Sequence, residues 1–404
     1  MKESLEPGCD CGCDNHGNKE PVSGLESTGV SIMPKMNYVQ AGCGTEPKNA
    51  FADHQKPGYI LSSFVEDFIL TDTGLVPKVK TKMDKSDIKA TILVRSGIGR
   101  HNYKVAPGLY CVGNPDKTSE VLITANFKLT FDHLRRELEN INAWILVLDT
   151  RGVNVWCAAG KGTFSTKELV KRIKLCCLEK VIDHKRVIVP QLGATGVAAR
   201  TVKKESGFRV VYGPVRAKDI PAFLENNRKA DKKMRMVTFT FIERLILTPV
   251  ELKMILKPAL ITSVVLILLS GFGPGIFSFS SAFGRGMISV LALFVGIISG
   301  AVITPTLLPY IPFKEFAAKG IISGAVFAAL LFLSISSSIY GVAAFISLFL
   351  FVVATSSFLS MNFTGATPFT SPSGVEKEMK RFIPVQLIAL VISTGLWIYS
   401  AFLL

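Results

Sequence analysis

Charge is what the C-terminal part of this 404-residue sequence has least of: Lys, Arg, Asp and Glu are dense up to about Lys257 and scarce afterwards. In a chain that is 49% hydrophobic, this gradient excludes a single soluble domain and sets a soluble region before a membrane region. An apolar opening run is missing too. Met1–Asn18 is polar, so no cleavable signal peptide is expected, and the eight cysteines are read as reduced thiols rather than a disulfide framework. Zinc-finger spacing and RNP-like aromatic runs are absent, so the net charge of +15 is not a nucleic-acid footprint; a cytoplasmic face beside anionic membrane lipid is the plainer use for it.

Motifs for nucleotide chemistry are missing as well. Walker A needs a glycine five residues before the Gly160–Lys161 pair and Ser or Thr directly after it, and those positions hold Val155 and Gly162. No G-x-G-x-x-G opens a helix after the early strands. The apolar stretches carry no Asp, Glu or Lys at mid-membrane depth, which weakens a transporter or proton-pump reading. Anchoring or assembly through Gly and Ser surfaces in GFGPG, SAFGRG and FVGIISG is the better-supported use.

What is present alternates. Residues 121–125, 144–149, 187–190 and 208–212 read as short buried strands, 129–139 has helical spacing, and 221–225 suits a short helical turn. Ser165 with Glu168 forms a capping box opening a helix through about Leu178. Strand and helix in alternation predict an α/β, Rossmann-like domain with a mainly parallel sheet. Ligands on such sheets sit beyond the carboxyl ends of the strands, where the loops 149–162 and 190–196 emerge.

Four regions follow: a Cys-rich tail (1–57), the α/β domain (58–230), an amphipathic interfacial linker (231–257) and a transmembrane domain (258–404). Five spans are expected at 258–279, 286–309, 320–336, 338–360 and 383–403, with Pro305, Pro309 and Pro312 kinking or stopping the second. Lys253, Lys257, Lys314, Lys319, Lys377, Lys380 and Arg381 cluster on one side, placing the soluble domain on the cytoplasmic face of the inner membrane and the C-terminus outside. In the tail, Cys9, Cys11 and Cys13 could hold one thiophilic ion, or the stretch is an unstructured tail.

The stretch VNVWCAAGKGTFS (153–165) sets a thiol among small residues. Cys157 is either a small core hydrophobe or a soft ligand offered to something large. Asn154 can brace a turn, Trp156 can wall an apolar cavity, and Ala158, Ala159 and Gly160 leave room for a flat ligand against backbone, with Lys161 adding positive charge.

The block Asn154-Val155-Trp156-Cys157-Ala158-Ala159-Gly160-Lys161 resembles the N-(V/I)-W-C-A-(A/G)-G-K signature of the membrane-anchored corrinoid protein of microbial mercury methylation. The text around it, VLITANFKLTFDHLRREL, PQLGATGVAA and VYGPVRAKDIPAFL, is similar to the corrinoid-binding domain of the corrinoid iron–sulfur protein of the acetyl-CoA pathway. The resemblance covers about residues 60–404. It implies a cobalt corrinoid bound base-off, with Cys157 as catalytic lower axial ligand, and methyl transfer to Hg(II) as a carbanion equivalent. Thr195 and Gly196 would border the corrinoid or its tail, and Thr163 and Ser165 could donate hydrogen bonds there. The partners implied are a methylated-folate-linked donor and a ferredoxin-like reductant with two [4Fe–4S] clusters, because no C-x₂-C-x₂-C run gives this chain an iron–sulfur cluster of its own. Asp14-Asn15-His16 only begins the D-x-H-x-x-G pattern of proteins that ligate cobalt with histidine; its glycine place holds Lys19. A corrinoid carrier for a non-mercury acceptor and a non-catalytic membrane scaffold are the competing readings.

Overall fold

The computed structural model describes residues 63–334, 337–363 and 372–403. The Cys-rich tail with Cys9, Cys11 and Cys13 lies outside the described residues. The chain forms two compact units, divided at Met236/Val237 except that Ile92–Ile98 groups with the second.

The first unit is α/β. Its strands are β1 (Val65–Thr71), β2 (Gly74–Val79), β3 (Gly108–Val112), β4 (Glu120–Ala125), β5 (Ala143–Leu148), β6 (Arg186–Val189) and β7 (Arg209–Tyr212). They form one sheet in the order β1-β2-β3-β5-β4-β6-β7. Strands β5, β4, β6 and β7 are mutually parallel, whereas β1/β2 and β3/β5 are antiparallel. The first two strands and β3 extend the four read from the sequence.

Both faces of the sheet are covered. Val121, Ile123, Trp144, Leu146 and Leu148 enter a core with α3 (Val155–Gly160), α4 (Thr166–Leu175), α5 (Leu178–Val181) and α6 (Ala199–Ser206). The alternate residues Leu122, Ile145, Val147 and Ile188 enter a second core with α2 (Lys128–Arg136) and α7 (Ile220–Glu225). Burial on both faces is why these strands read as continuous apolar runs. Helix α1 (Lys85–Arg95) precedes β3.

Two local expectations change. The helix opened by Ser165 ends at Leu175 rather than near Leu178, because Cys177 takes a left-handed conformation (φ 41°) and breaks it before α5. The capping box is half formed: Ser165 Oγ accepts from the Glu168 N–H (3.3 Å), but the Glu168 carboxylate turns to Arg172 and to the Asp149 N–H.

The second unit contains the short α8 (Phe241–Leu245), α9 (Thr248–Ser270), α10 (Phe279–Ile298), a π-helical turn Ser299–Ile303 leading into α11 (Thr304–Thr306), α12 (Phe316–Ser334), α13 (Ser337–Asn362) and α14 (Pro372–Ser400). Among the described residues, five helical stretches are long and apolar enough to cross a membrane. The first starts well before the expected boundary, so Pro258 lies inside α9 and the last ten residues of the predicted linker belong to that helix. The helices also extend into the charged turns that hydropathy trims away: Arg285 sits two turns into α10, Lys319 at the start of α12 and Glu378 early in α14. The second and third spans pack on the fourth through small residues. A Cβ added at Gly300 or Gly320 would meet the Ser356 carbonyl at 2.5 or 2.7 Å. Gly284 and Gly275 of the other small-residue stretches meet nothing within 4 Å.

Candidate functional site

From β4 the chain passes to β5 on one side and later returns to β6 on the other, so the crossover direction changes between β4 and β6. A cavity of about 300 Å³ opens there, at the carboxyl ends of these strands. Leu122 and Ile188 form its floor, Leu134 of α2 and Ile220 of α7 two walls, and Val155 and Trp156 of α3 a third. Its lining is mostly apolar. The polar groups are Thr124, Thr130, Asn154 and His133, of which His133 is the titratable one.

Helix α3 is set in place from two directions. Asn154 is its N-cap, Oδ1 accepting from the Cys157 N–H at 2.9 Å. Before it, the loop after β5 is folded around the buried amide of Asn126, the first residue beyond β4. Asn126 Oδ1 accepts from the Thr150 N–H (3.1 Å) and the Gly152 N–H (2.9 Å), and its Nδ2 donates to Asp149 (3.1 Å). Thr150 Oγ1 lies 2.8 Å from Asn126 Oδ1 and 2.6 Å from the Val153 carbonyl, and its proton serves one of them. The Glu168 carboxylate holds the other side of the loop through the Asp149 N–H (3.0 Å). Two strand ends and a helix start thus fix one hexapeptide helix.

The expected residues separate into three groups. Asn154, Val155 and Trp156 line the cavity. Cys157 is exposed on the first turn of α3, whereas Cys111, Cys176 and Cys177 are buried. Ala158 and Ala159 point into the core, so their small size serves the packing of α3 on the sheet rather than an open face. Gly160 and Lys161 are exposed. The third group is Thr163, Ser165, Thr195 and Gly196, and neither it nor Cys157–Lys161 lines the cavity: Ser165 caps α4, Thr163 Oγ1 lies 3.4 Å from the Ala158 carbonyl, and Thr195 is exposed. Gly196 is structural there, since an added Cβ would stand 2.0 Å from the Phe164 carbonyl. Sequence reasoning missed Asn126, His133, Thr130 and Thr124. An amide directly after the mostly apolar run 121–125 is the signal that could have marked Asn126.

Helix α2, which carries the His133 wall, is tied to α1 by a buried charge cluster. Lys128 Nζ contacts Asp87 (2.9 Å) and Asp132 (2.7 Å), and Arg135 contacts Asp87 (2.6 Å) and Asp132 (2.7 Å). Burial pushes the Asp87 carboxyl up, but the hydrogen bonds and charges of Lys128 and Arg135 outweigh it and hold the group below its ordinary value. Burial, with the charges of Asp132 and Asp87, pushes the neighbouring Tyr103 phenol up. Cys111 is pushed up to about 12 by burial, an inert thiol.

Among the described residues no three His, Cys, Asp or Glu gather as a metal-binding cluster. A metal that arrives in a ligand supplying most of its coordination needs few donors from the protein. For such a group the exposed sulfur of Cys157 is one soft donor beside an apolar cavity, and the two fit together.

Residues 80–224 match the family described as CO dehydrogenase/acetyl-CoA synthase delta subunit. Part of the chain is also similar to part of several curated proteins. The acetyl-CoA decarbonylase/synthase complex subunit gamma of Methanopyrus kandleri is 33% identical over 128 residues, 31% of this chain and 27% of that protein. The same subunit of Archaeoglobus fulgidus is 30% identical over 150 residues, 36% of this chain and 32% of that protein. The corrinoid/iron-sulfur protein large subunit of Moorella thermoacetica is 30% identical over 118 residues, 29% of this chain and 26% of that protein. The chain thus spans about a quarter to a third of the length of these relatives.

Proposed function

We propose that this protein is a membrane-anchored, corrinoid-dependent methyl carrier whose acceptor is inorganic Hg(II), giving methylmercury. The observation that carries the reading is the exposed thiol of Cys157, one residue beyond the cavity-lining Trp156 at the point where the sheet changes direction. The likeness to a corrinoid/iron-sulfur protein subunit supports the cofactor class, and the intact N-V-W-C-A-A-G-K block supports the acceptor.

When bound, a cobalt corrinoid supplies a methyl group able to depart with its bonding electron pair, the form an electrophilic Hg(II) ion accepts. The chain's own residues do the holding. Leu122, Ile188 and Ile220 would enclose the nucleotide tail of a base-off corrinoid, and Thr130 and His133 offer it hydrogen bonds. Trp156 would present a flat apolar face to the group, and Cys157 would offer its metal an electron-rich sulfur. Asn154 fixes the thiol's position by capping the helix on which it stands. The reductant, a ferredoxin-like protein with two [4Fe–4S] clusters, and the methylated-folate-linked donor belong to partners in this reading. The lysines flanking the spans support a cytoplasmic α/β unit.

Purified protein stripped of ligand and given cobalamin is expected to show a shifted visible spectrum that disappears in Cys157→Ala. Identical spectra in the two proteins would overturn the role of the thiol as a ligand. The acetyl-CoA decarbonylase/synthase relatives favour a second reading, with the methyl group passed to another metal or a thiol. A methyl-loaded, reduced protein that alkylates such an acceptor but leaves Hg(II) unchanged selects it.

A further inference from the structure

The second unit contains a site that a methyl carrier does not need. Between α9 and α10 the chain makes a small hairpin, Phe272–Gly273 paired with Ile276–Phe277, and a cavity of about 240 Å³ lies beneath it. Backbone of Gly271, Gly273 and Gly275 forms much of the wall, with Ser278, Ser281 and the Arg285 side chain completing it. Arg285 is 7% exposed, inside a helix long and apolar enough to span a membrane. A cation at such a position is costly unless it serves a ligand or a fixed polar contact.

Part of its role is structural. One guanidinium nitrogen donates to the Trp397 carbonyl and the Ser400 hydroxyl at the end of α14, and the group lies 4.6 Å from the centre of the Trp397 ring. Trp397 in turn donates to Ser270 Oγ (2.8 Å), so the guanidinium is held rigid where it borders the cavity. The same wall receives the N-terminus of the 20-residue α10, capped by Ser278. One cation, two hydroxyls, glycine backbone and a positive helix end line this space, and no carboxylate does.

We propose that this cavity binds a phosphate-type oxyanion, carried by a phospholipid headgroup or free in solution. The Arg285 guanidinium supplies the charge, and Ser278 and Ser281 supply hydroxyl donors. Glycines let the anion approach the backbone closely.

The test is calorimetric titration of the full chain in dodecyl maltoside with dioctanoyl phosphatidylglycerol and, separately, with inorganic phosphate. Saturable binding is expected, at least tenfold weaker in Arg285→Gln and kept in Arg285→Lys. Gly275 lines the cavity and is exposed, has no left-handed φ, and an added Cβ there meets nothing within 4 Å, so Gly275→Leu adds bulk at the rim while keeping the Arg285 side chain and is expected to weaken binding. Saturation by phosphate alone assigns the site to the free anion. Saturation by the lipid without competition from phosphate assigns it to headgroups. No saturable binding of either probe, or one affinity shared by the wild type and both weakening variants, overturns the proposal.

Discussion

Replacing Asn126 by Ala removes the group around which the loop carrying α3 is built. Its amide receives two backbone N–H bonds, from Thr150 and Gly152, and gives one to Asp149. Each intramolecular hydrogen bond contributes about 1 kcal/mol net, and a buried donor left unsatisfied costs about 1–3 kcal/mol. Gly152 is half-buried and can regain water, whereas Thr150 is fully buried and cannot. The expected cost is therefore about 3 kcal/mol, concentrated in residues 149–160. By the tenfold-per-1.4-kcal/mol rule this amounts to ~100-fold faster amide exchange there. Hydrogen-exchange mass spectrometry of the full chain reads it directly, with β5 and α2 as internal references that should change little. Cobalamin binding should weaken with it, because Cys157 and Trp156 ride on the loosened helix. Unchanged protection at Thr150 and Gly152 would refute the argument that Asn126 sets the loop.

Three further outcomes follow from the same geometry. Trp156→Ala, altering a partly exposed cavity wall, should weaken cobalamin binding by roughly tenfold with little loss of fold; equal occupancy in a spectral titration would remove the ring from the site. Gly196→Ala should cost about 1–3 kcal/mol, because the new methyl meets the Phe164 carbonyl, and exchange at residues 158–166 is where the strain should show. The lowered folded-state pKa of Asp87 means its ion-pair contribution is present above the unfolded value of about 3.9 and is lost as pH falls through the lower folded value. Asp87→Asn should thus lose about 3–5 kcal/mol already at neutral pH and flatten the acid limb of a stability-against-pH curve; an unchanged acid limb contradicts the assignment.

Strands β4 to β6 were legible because burial on both sheet faces leaves apolar runs, and β7 was legible from its short β-branched and aromatic run. Strand β1 was not: most of its residues are exposed or half-exposed, and Asp67 and Glu66 interrupt its pattern. The site was legible where it is local. Asn154 caps Cys157 across three residues, a spacing that sequence carries. Asn126 meets Thr150 across 24 residues, and only the pairing of β4 with β5 brings them together, so no nearby pattern announced it. Thr195 and Thr163 are implied at the cofactor only by the family resemblance, whose signature does not include them. The turn Gln191–Gly193 and the packing of Gly196 on Phe164 direct the loop after β6 towards α4 instead. In the second unit, hydropathy located the apolar cores of the spans but not the charged turns at their ends, which the helices include without interruption.

Cys157 divides its duties between two atoms. Its amide nitrogen is committed to Asn154 and holds the helix, while its sulfur stands in an exposed position. Serine, methionine or histidine at 157 would leave that backbone bond intact, so the side-chain chemistry here can be exchanged on an unchanged scaffold. An exposed position takes such single substitutions without the repacking that a buried one would demand.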